Sequence, residues 1–296
     1  MTRPDNEPAS LRSVAETLAA EAAAFVLRRR DEVFGAGAGT HAGTSTLGPD
    51  GGAVRSKTTP TDPVTVVDTE TEALLRERLA RLRPGDPILG EEGGWAVDGE
   101  ARSGDAGAVT WVLDPIDGTV NFVYGIPAYA VSVGAQIAGV SVAGAVADVA
   151  GGRVYSAARG QGAQVRDAHG TRELRCTAVD DLSMALLGTG FGYSARRRGV
   201  QAALLARMLP EVRDVRRIGS AALDLCMVAA GRLDAYYEHG LQVWDHAAGA
   251  LIAAEAGARV VLPQTPAGLT LAAAPGIAER LLATLDRFGG LAAIDA

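Results

Sequence analysis

Residues 109–122, VTWVLDPIDGTVNF, constrain this chain more than any other stretch. Val109 to Leu113 is a short apolar run rich in β-formers, which predicts a buried strand. Asp114-Pro115 stops the strand, and Asp117-Gly118-Thr119 turns the chain. Asp114 and Asp117 then lie beside free backbone groups, including the Ile116 carbonyl. Such a set of hard oxygen donors suits Mg²⁺. A short helix beginning near Gly118 would aim its first N–H groups the same way and suit an anion. Asp-Pro and Asp-Gly are also ordinary turn signals, so a purely structural turn stands as the alternative.

The remaining acids are read against that strand end. Glu91-Glu92 follow the strand-like Ile88-Leu89-Gly90, and either one acid faces Asp114 and Asp117 or both are solvated. Asp245 stands between Trp244 and an apolar helix, a position that fits an N-cap and equally a metal ligand. Asp68 reads either as the cap of a helix beginning at Thr69 or as an acceptor for a threonine that orients water. Ser220, in Gly219-Ser220-Ala221, opens a helix after a strand. It either caps that helix or leaves N–H groups for hydroxyls or phosphate. Glu238 ends LDAYYE and is suited to accept hydroxyls, whereas Lys57, His41 and His246 carry little signal alone.

The rest of the chain predicts mixed α and β structure. Helices are expected at 10–30, with Ser13 and Glu16 as a capping box, and at 69–82, with Thr69 and Glu72 as a second. Further helices fall at 195–209, 219–230, 244–256 and 276–287. Strand-like runs at 128–138, 140–149 and 152–158 suggest an antiparallel meander, followed by strands at 162–166, 184–189, 212–218, 233–238 and 258–262. Residues 35–53 and 93–108 read as Gly-rich loops. Blocks of sheet and helix indicate layered sheets between helices, with two lobes meeting near residue 180.

Composition excludes several classes. The chain has 296 residues and a formal charge of −7, and its basic residues form no run longer than Arg28–Arg30 and Arg196–Arg198. That argues against nucleic acid as the main partner. An acidic chain also repels a phosphorylated substrate unless bound cations reverse the local field. Two cysteines without a C-x-x-C pair fit a reducing cytoplasm, and no run of about 18 apolar residues exists to span a membrane. There is no G-x-S-x-G elbow, no Walker loop and no zinc-type cysteine pair. GTGFG at 188–192 lacks the G-x-G-x-x-G spacing of a dinucleotide loop.

Taken in order, DPVTVVD at 62–68, GEE at 90–92, WVLDPIDGTVNF at 111–122, GSAAL at 219–223, LDAYYE at 233–238 and WDHAAGALIAAEAG at 244–257 resemble the inositol monophosphatase family. Its members are Mg²⁺-dependent, lithium-sensitive phosphatases. The resemblance implies a layered α/β/α/β/α sandwich of the inositol monophosphatase and fructose-1,6-bisphosphatase type, assembled as a homodimer. It implies two or three Mg²⁺ ions. Glu91, Asp114 and the Ile116 carbonyl would hold the first, and Asp114, Asp117 and Asp245 the second. A weaker third would lean on Glu91. It further implies that Thr119 and Asp68 orient the attacking water, and that the Gly118 and Thr119 N–H groups hold the phosphate. Gly219, Ser220, Ala221 and Glu238 would meet the alcohol part of a small phosphorylated substrate, with Lys57 nearby. Inositol 1-phosphate is the expected substrate. Histidinol phosphate, fructose 1,6-bisphosphate and adenosine 3′,5′-bisphosphate are alternatives among relatives, and a non-catalytic regulatory protein is the alternative of a different class.

Overall fold

A computed structural model describes residues 6–35, 54–56, 63–96 and 107–295. The first helices and strands, in chain order, are α1 (Pro8–Phe34), β1 (Val54–Ser56), β2 (Pro63–Thr65), α2 (Val66–Leu82), β3 (Ile88–Gly90), β4 (Gly94–Ala96), β5 (Val109–Asp117) and α3 (Thr119–Tyr124). The meander follows as β6 (Ala130–Ile137), β7 (Val140–Asp148), β8 (Arg153–Ala158), β9 (Ala163–Asp167) and β10 (Gly170–Glu173). The second half contains β11 (Leu186–Thr189), α4 (Ala195–Met208), β12 (Asp214–Arg216), α5 (Ala221–Ala229), β13 (Ala235–His239) and α6 (Val243–Glu255). It ends with β14 (Arg259–Val261), β15 (Leu269–Ala273) and α7 (Pro275–Arg287).

Strands β3 to β10 form an eight-stranded sheet in the order β10-β9-β8-β7-β6-β5-β3-β4, and β11 to β15 a five-stranded sheet in the order β12-β11-β13-β15-β14. From β5 through β10 every neighbouring pair is antiparallel, so the expected meander, β6 to β8, extends by a strand before it and two after it. Side-chain alternation divides each sheet between two cores. In β6, Val131, Val133 and Ala135 face α1 and α2, while Ala130 faces α5 and α6. In β13, Tyr236 faces α5 and α6, while Ala235 and Tyr237 face α4 and α7. The layers therefore run α1/α2, eight-stranded sheet, α5/α6, five-stranded sheet, α4/α7. This is the expected α/β/α/β/α sandwich, with a hydrophobic core at each of its four interfaces. The middle helices lie close to the larger sheet. A Cβ at Gly144 would stand 2.9 Å from the Ala248 Cβ, so that strand position needs a residue without one.

Several local expectations are corrected. Helix α1 begins at Pro8, earlier than a box at Ser13 and Glu16 would allow. Ser13 instead donates to the Ala9 carbonyl, and Glu16 crosses to Ser156 and Gln164 on the sheet. Helix α2 is capped by Thr65 paired with Asp68, one turn before Thr69 and Glu72. Glu72 accepts the Glu92 and Gly93 N–H groups, each at 2.8 Å, and so holds the β3–β4 turn. The supposed loop at 93–108 contains β4, and the strand β15 lies in a stretch assigned no element. The predicted strand at 212–218 shortens to Asp214–Arg216. Lys57, His41, Asp62 and most of the 35–53 loop lie outside the described residues.

Candidate metal and phosphate site

Strand β5 carries the centre of the site. Residues three apart in a regular strand point to opposite faces, yet Asp114 and Asp117 point to one place. The register explains this. Asp114 pairs with Ser132 and Asp117 with Ala130, so three steps on β5 match two on β6. Pro115, which has no N–H to give the ladder, lies within this bulge. The bulge turns Asp117 back to the side that Asp114 faces. Strand β3 runs parallel to β5, and the Glu91 N–H donates to the Leu113 carbonyl at 3.1 Å, placing Glu91 at the same strand end.

The third carboxylate comes from α6. This helix is capped by Gln242 rather than by Asp245, which stands three residues further on. The Asp245 carboxylate accepts the Gln242 N–H at 2.6 Å through Oδ2, leaving its other oxygen for the cluster. One oxygen each from Asp114, Asp117 and Asp245 lies within 4.8 Å of the others. Glu91 stands beside this trio and lines the same cavity as Asp117 and Asp245. Its charge is the foremost of the neighbours that push the Asp114 carboxyl up.

Electrostatics and hydrogen bonding fit a divalent cation here. Asp114 is 1% exposed, and its Oδ1 has no hydrogen-bond partner among the described residues. A buried carboxylate oxygen left without a donor is costly unless a cation meets it. Burial, then repulsion from Glu91, Asp117 and Asp245, holds the Asp114 carboxyl well above the usual range. Burial and repulsion from Asp117 and Glu91 do the same to Asp245. Asp117 rises to about 6, chiefly through burial. The Ser220 hydroxyl and the Ala222 N–H, at 2.6 and 2.7 Å, oppose that rise by donating to Asp117 Oδ2. All the donors are hard oxygens, the chemistry that Mg²⁺ or Mn²⁺ selects.

Thr119 and Asp68 meet beside the cluster. The Thr119 hydroxyl lies 3.1 Å from Asp68 Oδ1 and 2.9 Å from the Ile116 carbonyl, both acceptors for its one proton. Asp68 is fully buried, and burial pushes its carboxyl up to about 7 even though Thr65 donates to it. The turn that presents these groups needs Gly118. Its φ is +95°, and a Cβ there would stand 2.9 Å from the Ala128 carbonyl oxygen.

A cavity of about 640 Å³ opens from the acids toward the second sheet. Glu91, Asp117, Gly118, Gly219, Ala221, Glu238 and Asp245 all line it. Ser220 does not. It is buried, caps α5 through Leu223 and spends its proton on Asp117. Glu238 accepts the Tyr236 hydroxyl at 2.6 Å, and burial lifts its carboxyl to about 7. His246 is buried, and desolvation lowers it to about 4, so its ring is neutral at physiological pH. Three contributors escaped sequence reading. Arg197 and Arg217 line the cavity together with the acids. Asn121 donates to the Ala128 and Ile218 carbonyls at 2.7 and 2.9 Å, tying the β5 turn to the loop before α5. Only the Asn-Phe that ends the 109–122 stretch hinted at the last.

Comparison with known proteins identifies the family. The chain is 71% identical over 295 residues to "Inositol-1-monophosphatase SuhB" of Mycobacterium tuberculosis (strain ATCC 25618 / H37Rv), covering 98% of each chain. A solved structure titled "Mycobacterium tuberculosis SuhB" superposes with a TM-score of 0.80 at 67% identity, covering 97% of this chain and all of that one. More distantly, "Nus factor SuhB" of Pasteurella multocida is 38% identical over 227 residues, covering 75% of this chain and 81% of that protein. Residues 7–288 match the model of the Inositol monophosphatase family. A family model that spans nearly all of the chain, with a relative 71% identical over 295 residues, shows that this chain belongs to the inositol monophosphatase family.

Proposed function

We propose that the protein hydrolyses phosphate monoesters with Mg²⁺, and that inositol 1-phosphate is its substrate. The observation that carries this reading is the partnerless buried Oδ1 of Asp114, set among three converging carboxylates beside the Thr119–Asp68 pair. Asp114, Asp117, Asp245, Glu91 and the Ile116 carbonyl would hold two or three ions. When bound, such ions neutralise the phosphate and lower the pKa of water at neutral pH.

The chain's own residues supply position and proton transfer. Thr119 Oγ1 gives its proton to Asp68 Oδ1 or the Ile116 carbonyl, and so offers a lone pair to the hydroxyl of an incoming water. As that water is deprotonated, its proton reaches Thr119 Oγ1 while the threonine's own proton moves to Asp68. With a carboxyl lifted to about 7, Asp68 is a base matched to neutral pH. Ser220 and the Ala222 N–H fix Asp117 in one rotamer. Glu238, Gly219 and Ala221 line the cavity together with the acids, and the Glu238 carboxyl suits the hydroxyls of a polyol. Arg217 and Arg197 hold Glu238 toward its charged, accepting form. A cytoplasmic, homodimeric and lithium-inhibited working state rests on family membership.

The name and 71% identity of the mycobacterial relative support inositol 1-phosphate over histidinol phosphate or fructose 1,6-bisphosphate. The relative named a Nus factor favours a regulatory binding role as the second reading. Such a role needs no set of converging carboxylates. Phosphate release from inositol 1-phosphate with Mg²⁺, compared between wild type and Asp117→Asn, separates the two. We expect turnover by wild type and loss of at least 100-fold in the variant. Absence of Mg²⁺-dependent release by wild type from all of these esters would overturn the catalytic reading.

A further inference from the structure

A second cavity, of about 370 Å³, lies away from the acids, between β8, β9 and β10 and the segment that follows α5. Four arginines line it: Arg153, Arg172, Arg175 and Arg232. This concentration is unexpected in a chain of net charge −7. The cavity shares no lining residue with the catalytic one. The nine residues of α5 separate Ser220, which holds Asp117, from the segment carrying Arg232, a span of roughly 14 Å along the helix. The floor is firm, since Tyr155, Val165 and Leu174 are each at most 6% exposed.

The guanidiniums are held loosely. Arg172 pairs with Asp167 and Arg175 with Glu173, yet the two arginine side chains are 62% and 78% exposed. Ion pairs exposed to that degree contribute little and exchange readily. Arg153 is more fixed, donating to the Gly151 carbonyl at 3.4 Å and standing 3.6 Å from Asp148. Arg232 is exposed and makes no ion pair within 4 Å among the described residues. Planar guanidiniums grouped around one concavity match phosphate oxygens in pairs. Its volume admits a small molecule rather than a macromolecular segment.

We infer that this arginine-lined cavity is a second binding site, for a small soluble anion carrying two or more phosphate groups. Phosphate oxygens each accept from more than one guanidinium, and two linked phosphate groups spread such contacts over all four arginines. The inference does not depend on the catalytic reading, because no residue is shared.

Pyrophosphate is the probe, titrated calorimetrically into the full-length protein in EDTA. Without cations, the acids of the catalytic cavity repel it. We expect saturable binding at least tenfold tighter than that of inorganic phosphate, weakening steeply between 50 and 200 mM salt. Arg172→Ala/Arg232→Ala should weaken it at least tenfold, and so should Arg175→Glu as an independent variant at an exposed position. Asp117→Asn should leave it unchanged, and both arginine variants should keep the wild-type rate of phosphate release with Mg²⁺. No pyrophosphate binding by wild type, or affinity within twofold of wild type in both arginine variants, overturns the inference.

Discussion

Asp114→Asn should make the metal-free protein more stable while abolishing its response to Mg²⁺. The substitution removes a charge without removing a hydrogen bond of Asp114 Oδ1, which has no partner. Asp114, Asp117 and Asp245 present oxygens within 4.8 Å of one another, and two unit charges at that distance repel by about 3 kcal/mol at an effective dielectric constant near 20. Burial, then repulsion from Glu91, Asp117 and Asp245, raises the Asp114 carboxyl in the same sense.

The sign follows from the direction of these shifts. A carboxyl raised on folding favours the folded state below its unfolded pKa, and that contribution is lost as pH rises through the folded value. Metal-free wild type should therefore lose stability between about pH 4 and 7, the window set by Asp117 at about 6 and Asp68 at about 7. A chain of 296 residues has an unfolding entropy of about 0.6 kcal/mol per kelvin, so 3 kcal/mol moves Tm by about 5 °C. Calorimetry in EDTA should show Asp114→Asn melting about 5 °C above wild type at pH 8, and nearly level with it at pH 4. Adding Mg²⁺ should raise the wild type alone. A variant that melts at or below wild type at pH 8 in EDTA would refute the idea that these carboxylates repel one another.

Other substitutions separate the remaining parts of the site. Thr119→Val should lower kcat by at least 100-fold, with KM changed little, because it removes the hydroxyl that donates to Asp68 Oδ1 beside the acids; steady-state kinetics checks this. Gly118→Ala should destabilise the fold by about 1–3 kcal/mol in denaturant melts, since φ is +95° and the Ala128 carbonyl crowds a Cβ. Ser220→Ala removes a donor that holds the Asp117 carboxyl down. It should shift the acid limb of the Mg²⁺-binding profile to higher pH, and an unmoved limb would sink that role for Ser220.

The sequence reading succeeded where one local rule decided the outcome, and it missed where two rules competed or where the cause lay far along the chain. The apolar run before Asp114 predicted β5, and alternation predicted the meander. In TVVDTETE, both Thr65 and Thr69 stand three residues before an acid. Only the folded chain shows that Thr65 has the extended backbone of a cap, which frees Glu72 to hold the turn after β3. For Asp245, the choice between cap and ligand dissolved, because Gln242 caps α6 while Asp245 secures the Gln242 N–H and faces the cluster. Strand β15, LTLAA, is short and ends in alanines that blur its alternation, so periodicity gave it no weight. The convergence of Asp114 and Asp117 depends on a bulge, and a bulge is defined by the register of two strands rather than by either alone. The Ser220–Asp117 contact likewise spans 103 residues. The resemblance to a family brought the distant acids together before any geometry did.

Diffraction from crystals of the full-length protein soaked in Mn²⁺, recorded at the manganese edge, tests the central claim most directly. Anomalous peaks should stand between the carboxylates of Asp114, Asp117 and Asp245, with one adjoining Glu91 and the Ile116 carbonyl. Manganese bound only elsewhere, with no peak inside this group of acids, would contradict the account.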